Sequence, residues 1–230
     1  MTIKEHDFIE LDYIGKLDDG TVFDTTDPDV AKTTPNYNKN AEYKPRTICV
    51  GENHVVPGLD QALINKEVGK NYTIRLLPEQ AFGKKDAKKI RLVPATTFYK
   101  QQIMPQPGLE VNIDGVLARI LIVSGGRVLV DFNHPIAGKE VIYDVTIKRK
   151  VTEKKEQVQS YLGLALHPEL IKDVEIMENT AKVTLAQKLP GPIATELVKK
   201  LVELTQLQSV GFHVPEVKQK KEKKEEIKSV

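Results

Sequence analysis

The first informative pattern in this chain is an alternation. Ile9, Leu11 and Tyr13 recur at every second position, which predicts a strand with one apolar face. Asp19-Gly20 follows as a hairpin turn, because glycine accepts the positive φ that a primed turn requires. On the predicted return strand Phe23 and Asp24 point to opposite faces. Residues 25–45 are polar, contain Pro28, Pro35 and Pro45, and show no period, so they read as a surface loop or bulge. A strand at Arg46 to Val50 comes next. Pro57-Gly58 then opens a short helix with Leu59, Ala62 and Leu63 on one face and Gly69 as its cap. Residues 72–78 alternate again as a strand and run into Glu79-Gln80-Ala81-Phe82-Gly83.

A separate pattern occupies the chain between Gly83 and Val130. It predicts a strand at Lys89 to Val93 and a short helix at Pro94 to Met104 carrying Phe98 and Tyr99. A hairpin of Leu109 to Ile113 and Val116 to Val123 turns at Asp114-Gly115, and Ser124-Gly125-Gly126 leads into a strand from Val128 to Phe132. This is a small β-rich unit set into one loop of a larger domain.

After Val151 the composition changes. Glu153 to Leu166 reads as a helix with Val158, Tyr161, Leu162 and Ala165 at helical spacing. A hairpin follows, Asp173 to Met177 and Ala181 to Ala186 about Glu178-Asn179. Pro192 to Gln208 reads as a second helix carrying Ile193, Leu197, Leu201 and Leu204, capped near Gly211, for an α-β-β-α order. With Val198, Val202 and Leu207 its apolar arc is wider than a two-stranded hairpin needs to cover. A homodimer joined through residues 152–230 is the expected remedy. The stretch Lys218 to Lys228, with six Lys and three Glu, reads as a helical extension.

Composition narrows the function classes. The 230 residues allow one or two domains, or three small ones, and 40% hydrophobic with 29% charged residues is ordinary for a soluble globular protein. No long uncharged apolar run is present, so no membrane span is expected. Residues Met1 to Asp7 lack an apolar signal core, and Cys49 is the single cysteine, which together lead to an expected cytoplasmic location without an intramolecular disulfide. A net charge of +2 argues against general nucleic-acid binding. An adaptor role for residues 152–230 would suit their element order, but they lack a glycine-flanked phosphate loop and excess positive charge. Asp18, Asp19, Asp24, Asp27 and Asp29 do not follow the spacing of an EF-hand, and His6, His54, His134, His167 and His213 show no ligand spacing. No metal and no cofactor are expected.

Four blocks in order carry a resemblance. They are Tyr13 to Asp24, Val50 to Leu63, Glu79 to Gly83, and Asp131 to Val145, the last including Asn133-His134-Pro135-Ile136-Ala137-Gly138-Lys139. Together they resemble the FKBP-type peptidyl-prolyl cis-trans isomerases, specifically the SlyD-like and archaeal branch, to which the Asn-His-x-x-Ala-Gly-Lys run is particular. The resemblance covers roughly the first 150 residues. It implies an α+β fold in which residues 1–84 and 130–151 form an antiparallel β-sheet wrapped on a short helix, with the bulge at 25–45. It further implies that residues 85–129 are an insert-in-flap chaperone domain and that 152–230 are an additional α/β domain of the long form.

The implied chemistry is simple. An Xaa-Pro bond interconverts over a barrier of about 20 kcal/mol because rotation breaks amide resonance. An apolar pocket that prefers the twisted amide suffices. The resemblance assigns Tyr13, Phe23, Tyr143 and the carboxylate of Asp24 to the catalytic centre. It assigns Ile48, Val50, Val55, Val56, Leu59 and Phe82 to substrate binding, with Phe132, His134, Ile136 and Ala137 in the loop that edges the pocket. Two departures stand out: Leu59 replaces a Trp at the pocket floor, and Phe82 replaces a Tyr that donates to ligand in the best-known members. Both put tight macrolide binding in doubt. The expected partners are unfolded or partly folded proline-containing polypeptides. The alternative is a non-catalytic chaperone or binding module with a vestigial prolyl pocket.

Overall fold

The opening alternation becomes β1 (Phe8–Leu17) in a computed structural model that describes residues 1–35 and 37–215. The chain divides into one unit at Met1–Lys150 and another at Val151–Val230.

In the first unit β1 is central. Along one edge it pairs with β2 (Val22–Thr25) and β3 (Arg46–Cys49), and along the other with β9 (Val141–Lys150), which also pairs with β4 (Asn71–Leu76). All four pairings are antiparallel, giving a five-stranded sheet. Its inner face carries Ile9, Leu11, Tyr13, Val141, Tyr143, Val145 and Ile147, the inward half of each alternation. The short helix α2 (Pro57–Leu63) covers this face with Leu59 and Leu63, both fully buried. Gly58 lets the start of α2 sit against the turn at Pro78–Gln80: a Cβ there would meet Gln80 O at 2.7 Å.

Several local expectations change. The β1–β2 turn is a three-residue loop, with Leu17 O accepting from Gly20 N at 3.0 Å and Leu17 N donating to Thr21 O at 2.9 Å. Of its residues only Gly20 turns left-handed (φ 84°), so one glycine satisfies the loop and no primed pair is needed. The bulge holds a five-residue helix, α1 (Pro28–Lys32), with Asp27 capping the N–H groups of Asp29 and Val30. Gly69 does not cap α2. That helix ends at Leu63, and Gly69 N instead donates to Ile147 O at 2.8 Å as the chain enters β4.

The insert forms its own four-stranded sheet, in the order β5 (Ile90–Pro94), β8 (Arg127–Asp131), β7 (Val116–Ser124), β6 (Glu110–Ile113). Asp114-Gly115 and Gly125-Gly126 are both left-handed pairs, the backbone that two-residue hairpins require. Helix α3 (Ala95–Lys100) places Phe98 over Ile120, Val128 and Val130 in a separate apolar cluster. Because β8 runs to Asp131, the sheet closes two residues later than a boundary at 129.

The second unit departs most from expectation. Helix α4 (Lys154–Ala165) buries Val158, Tyr161 and Leu162, but Ala165 is exposed at its last turn. The hairpin β10 (Ile171–Met177) and β11 (Thr180–Leu185) forms about Glu178, whose φ is 54°. Helix α5 (Gly191–Thr205) stops at a left-handed Gln206, short of Gln208. The chain then adds β12 (Ser209–His213), parallel to β11, so the order is α-β-β-α-β and Gly211 lies inside a strand. The extra strand helps to cover α5: Leu197, Leu201 and Leu204 are buried, as is Leu207 just beyond the helix, Val198 and Val202 are half-buried, and of the expected apolar arc only Ile193 is exposed. The expected helical extension at Lys218 to Lys228 lies outside the described residues.

Candidate active site

Two neighbouring strands and one glycine set the aromatic wall. Gly15 on β1 is paired with Asp24 on β2 and with Tyr143 on β9. A Cβ at Gly15 would lie 2.8 Å from Phe23 Cζ and 3.0 Å from Tyr143 Cε1, so the missing side chain is what lets the two rings meet over the strand. Phe23 stands edge-on to Tyr143 (centroids 5.7 Å, 89°) and to Phe82 (5.6 Å, 89°), and Tyr143 is edge-on to Tyr13 (5.9 Å, 64°). Such edge-to-face pairs suit the ring quadrupoles.

These rings flank a cavity of about 320 Å³ lined by Tyr13, Asp24, Arg46, His54, Val55, Val56, Phe82 and Tyr143. The Tyr13 hydroxyl donates to Asp24 Oδ2 at 2.9 Å. Burial holds the Tyr13 hydroxyl far above the ordinary phenol range, reinforced by the charge of Asp24 and opposed by Arg46. Tyr143 is raised as well, by burial first and then by Asp24 and Tyr13. Both phenols therefore stay protonated as donors at neutral pH, and the carboxylate has a fixed partner. The Arg46 guanidinium carbon stands 6.0 Å from the centre of the Tyr13 ring.

The loop that supplies His54, Val55 and Val56 is tied from beneath. Asp60, almost fully buried in α2, accepts from Gly51 N at 3.0 Å and from Asn53 N at 3.0 Å. Gly51 and Asn53 both have left-handed backbones (φ 92° and 54°), a conformation that those charge-assisted bonds secure. His54 Nδ1 accepts from Cys49 N at 3.0 Å, which fixes the neutral ring with its proton on Nε2. Burial holds the His54 imidazole below the ordinary histidine range, against the opposite pull of Glu52 and Asp60.

The structure sorts the predicted residues. Tyr13, Asp24, Val55, Val56, Phe82 and Tyr143 line the cavity, and Phe23 packs its rim. Ile48, Val50 and Leu59 are fully buried core beneath it, outside the lining. His134 stacks flat on Phe82 (4.7 Å, 13°), Ile136 packs on the main core and Ala137 is buried behind them. Phe132 belongs elsewhere. Its ring packs against the insert cluster beneath Arg91, because the end of β8 still alternates and sends it to that side. Arg46 and His54 were missed by sequence reasoning. An arginine opening a strand and a histidine folded back on its own loop have no spacing that marks them.

A larger cleft of about 760 Å³ lies on the outer face of the sheet, beside the bulge. Its carboxylates are engaged, Asp12 with Lys148 at 2.8 Å and with the Thr26 hydroxyl at 3.0 Å, and Tyr13, Tyr43 and Tyr72 are set among Asp, Lys, Thr and Asn side chains in a lining far more polar than that of the smaller cavity. Among the described residues no group of three or more His, Cys, Asp or Glu side chains is placed to hold a metal ion.

The sequence matches two family profiles, one described as FKBP-type peptidyl-prolyl cis-trans isomerase over residues 1–100 and one as the IF domain of FKBP26 over residues 91–136. The short-type peptidyl-prolyl cis-trans isomerase of Methanocaldococcus jannaschii is 34% identical over 146 residues, covering 64% of this chain and 92% of that protein. A probable FKBP-type 16 kDa peptidyl-prolyl cis-trans isomerase of Pseudomonas fluorescens is 29% identical over 109 residues, covering 45% and 71%. The FKBP-type peptidyl-prolyl cis-trans isomerase SlyD of Helicobacter pylori is 28% identical over 123 residues, covering 50% and 65%.

Proposed function

Because this chain belongs to the family of FKBP-type peptidyl-prolyl cis-trans isomerases, we propose that it couples isomerisation in the cavity to capture of unfolded chain on the insert. The isomerase activity is that of the family, and its substrates are proline-containing polypeptides. The cavity residues suggest how it works. Phe23, Phe82, Tyr143, Val55 and Val56 offer apolar surface to the proline ring and keep water from the amide. A less hydrated amide loses part of the solvation that favours its planar, charge-separated form, so the twisted state is relatively stabilised. Asp24, held by the Tyr13 hydroxyl, faces the carbonyl side.

The observation that carries the capture reading is the surface of the insert. Leu92, Leu117, Ile122, Tyr99 and Met104 are each more than half exposed, within a segment of about forty residues that has a buried cluster of its own. A chain held there raises the effective concentration of its prolyl bonds at the nearby cavity. The extent of the chain beyond residue 150 supports assignment to a long form of the archaeal branch. Among the described residues, a homodimer through residues 152–230 rests on the exposed Leu164, Met177 and Ile193, and a monomeric mass by light scattering would remove it.

The test replaces Ile90–Asp131 by a short Gly-containing turn. Lys89 and Phe132 are already joined, Phe132 N donating to Lys89 O at 3.0 Å, so the graft closes naturally. Activity on a prolyl tetrapeptide should persist. Catalysis of a proline-limited refolding reaction and suppression of aggregation should both fall by about tenfold or more. Equal losses on both substrates would refute a separate capture site.

A further inference from the structure

The insert is joined to the sheet domain by two chain crossings, and the crossings are tied to each other along their whole length. Nearest the cavity, His134 stacks on Phe82. Next, Gly138 N donates to Gly83 O at 2.8 Å, and Phe132 N to Lys89 O at 3.0 Å. Between these ties lies Asn133, which is buried. Its Oδ1 accepts from Asp86 N at 2.9 Å, and its Nδ2 donates to Asp86 O at 3.0 Å and to Asp131 Oδ1 at 2.7 Å. Its backbone N–H also goes to Asp131 Oδ1, at 2.9 Å. Asp131 is tied in turn to Lys85. Burial alone would push the Asp131 carboxyl up, but the N–H groups of Asn133, with Lys85, outweigh it and hold the group below the usual carboxylate range.

An amide is the one side chain that can both accept from and donate to a single backbone unit, here that of Asp86, while keeping a second hydrogen for a carboxylate. The arrangement makes a stiff two-stranded stem where a flexible tether would have sufficed to attach a domain. Stiffness matters for hand-over, because effective concentration depends on whether the linker geometry brings the second site into reach.

We propose that Asn133 is a positioning residue for isomerisation of protein substrates: it locks the stem so that a chain captured on the insert meets the prolyl cavity in a fixed geometry. The proposal rests on the capture reading above. It concerns a residue outside the lining of the prolyl cavity, set in a second cleft of about 370 Å³ that runs from Phe23 and His134 to Leu117 of the insert.

The experiment compares wild type, Asn133→Ala and the insert-replaced chain in three assays: tetrapeptide isomerisation, proline-limited refolding of an unfolded protein, and suppression of aggregation. For Asn133→Ala the expected result is tetrapeptide turnover within about twofold of wild type and unchanged aggregation suppression, with refolding catalysis down by about fivefold to tenfold through kcat. Spin labels at Asp114 and Lys70 should report a broadened distance distribution. If Asn133→Ala fails to fold, Asn133→Ser keeps one short donor and acceptor without adding a charge beside Asp131, and should show the same split in smaller measure. Wild-type refolding catalysis in a folded Asn133 variant, alongside a loss in the insert-replaced chain, would overturn the positioning role and leave capture standing. No loss in the insert-replaced chain would overturn capture itself. A parallel drop on the tetrapeptide would make Asn133 part of the cavity and overturn the proposal.

Discussion

The ring of Phe23 occupies the space that a side chain on Gly15 would need, with Phe23 Cζ only 2.8 Å from the position of a Cβ there. Gly15→Ala must therefore push Phe23 or Tyr143 aside. The expected cost is about 1–3 kcal/mol of stability, typical of overpacking. A larger relative loss in kcat/KM on a tetrapeptide should accompany it, because both rings flank the cavity. Thermal melts and tetrapeptide kinetics on one preparation check this, and wild-type kinetics would show that the contact between the rings does not matter to turnover.

Asp24→Ala and Tyr143→Ala should each lower tetrapeptide isomerisation while the chain still folds. Asp24 is only partly buried, so removing it leaves the Tyr13 hydroxyl without its acceptor but opens no large hole. A loss of about tenfold in kcat/KM is expected for each. A variant that melts like wild type and turns over at the wild-type rate would strike that residue from the catalytic centre.

Asp60 makes a different prediction, about stability. Asp60→Ala leaves the N–H groups of Gly51 and Asn53 without their acceptor, at a cost of about 2–4 kcal/mol. Hydrogen exchange at those two amides should accelerate, and substrate KM should rise as Val55 and Val56 lose their fixed position. Unchanged exchange at Gly51 and Asn53 would mean that the loop is held by other contacts.

The His54 imidazole gives a pH dependence with a definite sign. Its pKa in the folded chain is held below the ordinary value, so the unfolded chain takes up the proton first as pH falls. Its contribution to stability is complete above the ordinary histidine value of 6.5 and is lost as pH falls from there through the folded value. Protonation also removes the acceptor for Cys49 N–H. Melting temperature should therefore decline on mild acidification, and His54→Gln should flatten that decline. An identical pH profile in the variant would assign the decline to other groups.

What was legible in the chain was legible for a reason. Alternation at Ile9, Leu11 and Tyr13 is a long, one-sided pattern, and burial on one face of a sheet enforces it. The third strand of the second unit was not legible, because Leu204, Leu207 and Val210 continue the three-residue spacing of α5 and hide the break at Gln206. Helix α1 carries a readable Asp27-Pro28 start, but five residues are too few to show a period. Phe132 illustrates a further limit. It is next to Asn133 in sequence, yet the alternation of β8 delivers it to the insert, so neighbouring positions in one motif serve different cores.

The pairing of β1 with β9 sets an order of events during synthesis. Ile9 is opposite Lys150 and Gly15 opposite Tyr143, so the strand made first can be completed only by the last strand of its unit. Every residue of the insert emerges in the interval between them. A chain halted before Val141 can already close the hairpins of the insert, whose contacts are local, but it has no Tyr143 and thus no aromatic wall for a prolyl bond. During synthesis the insert can therefore gather its own apolar cluster before the aromatic wall of the cavity exists.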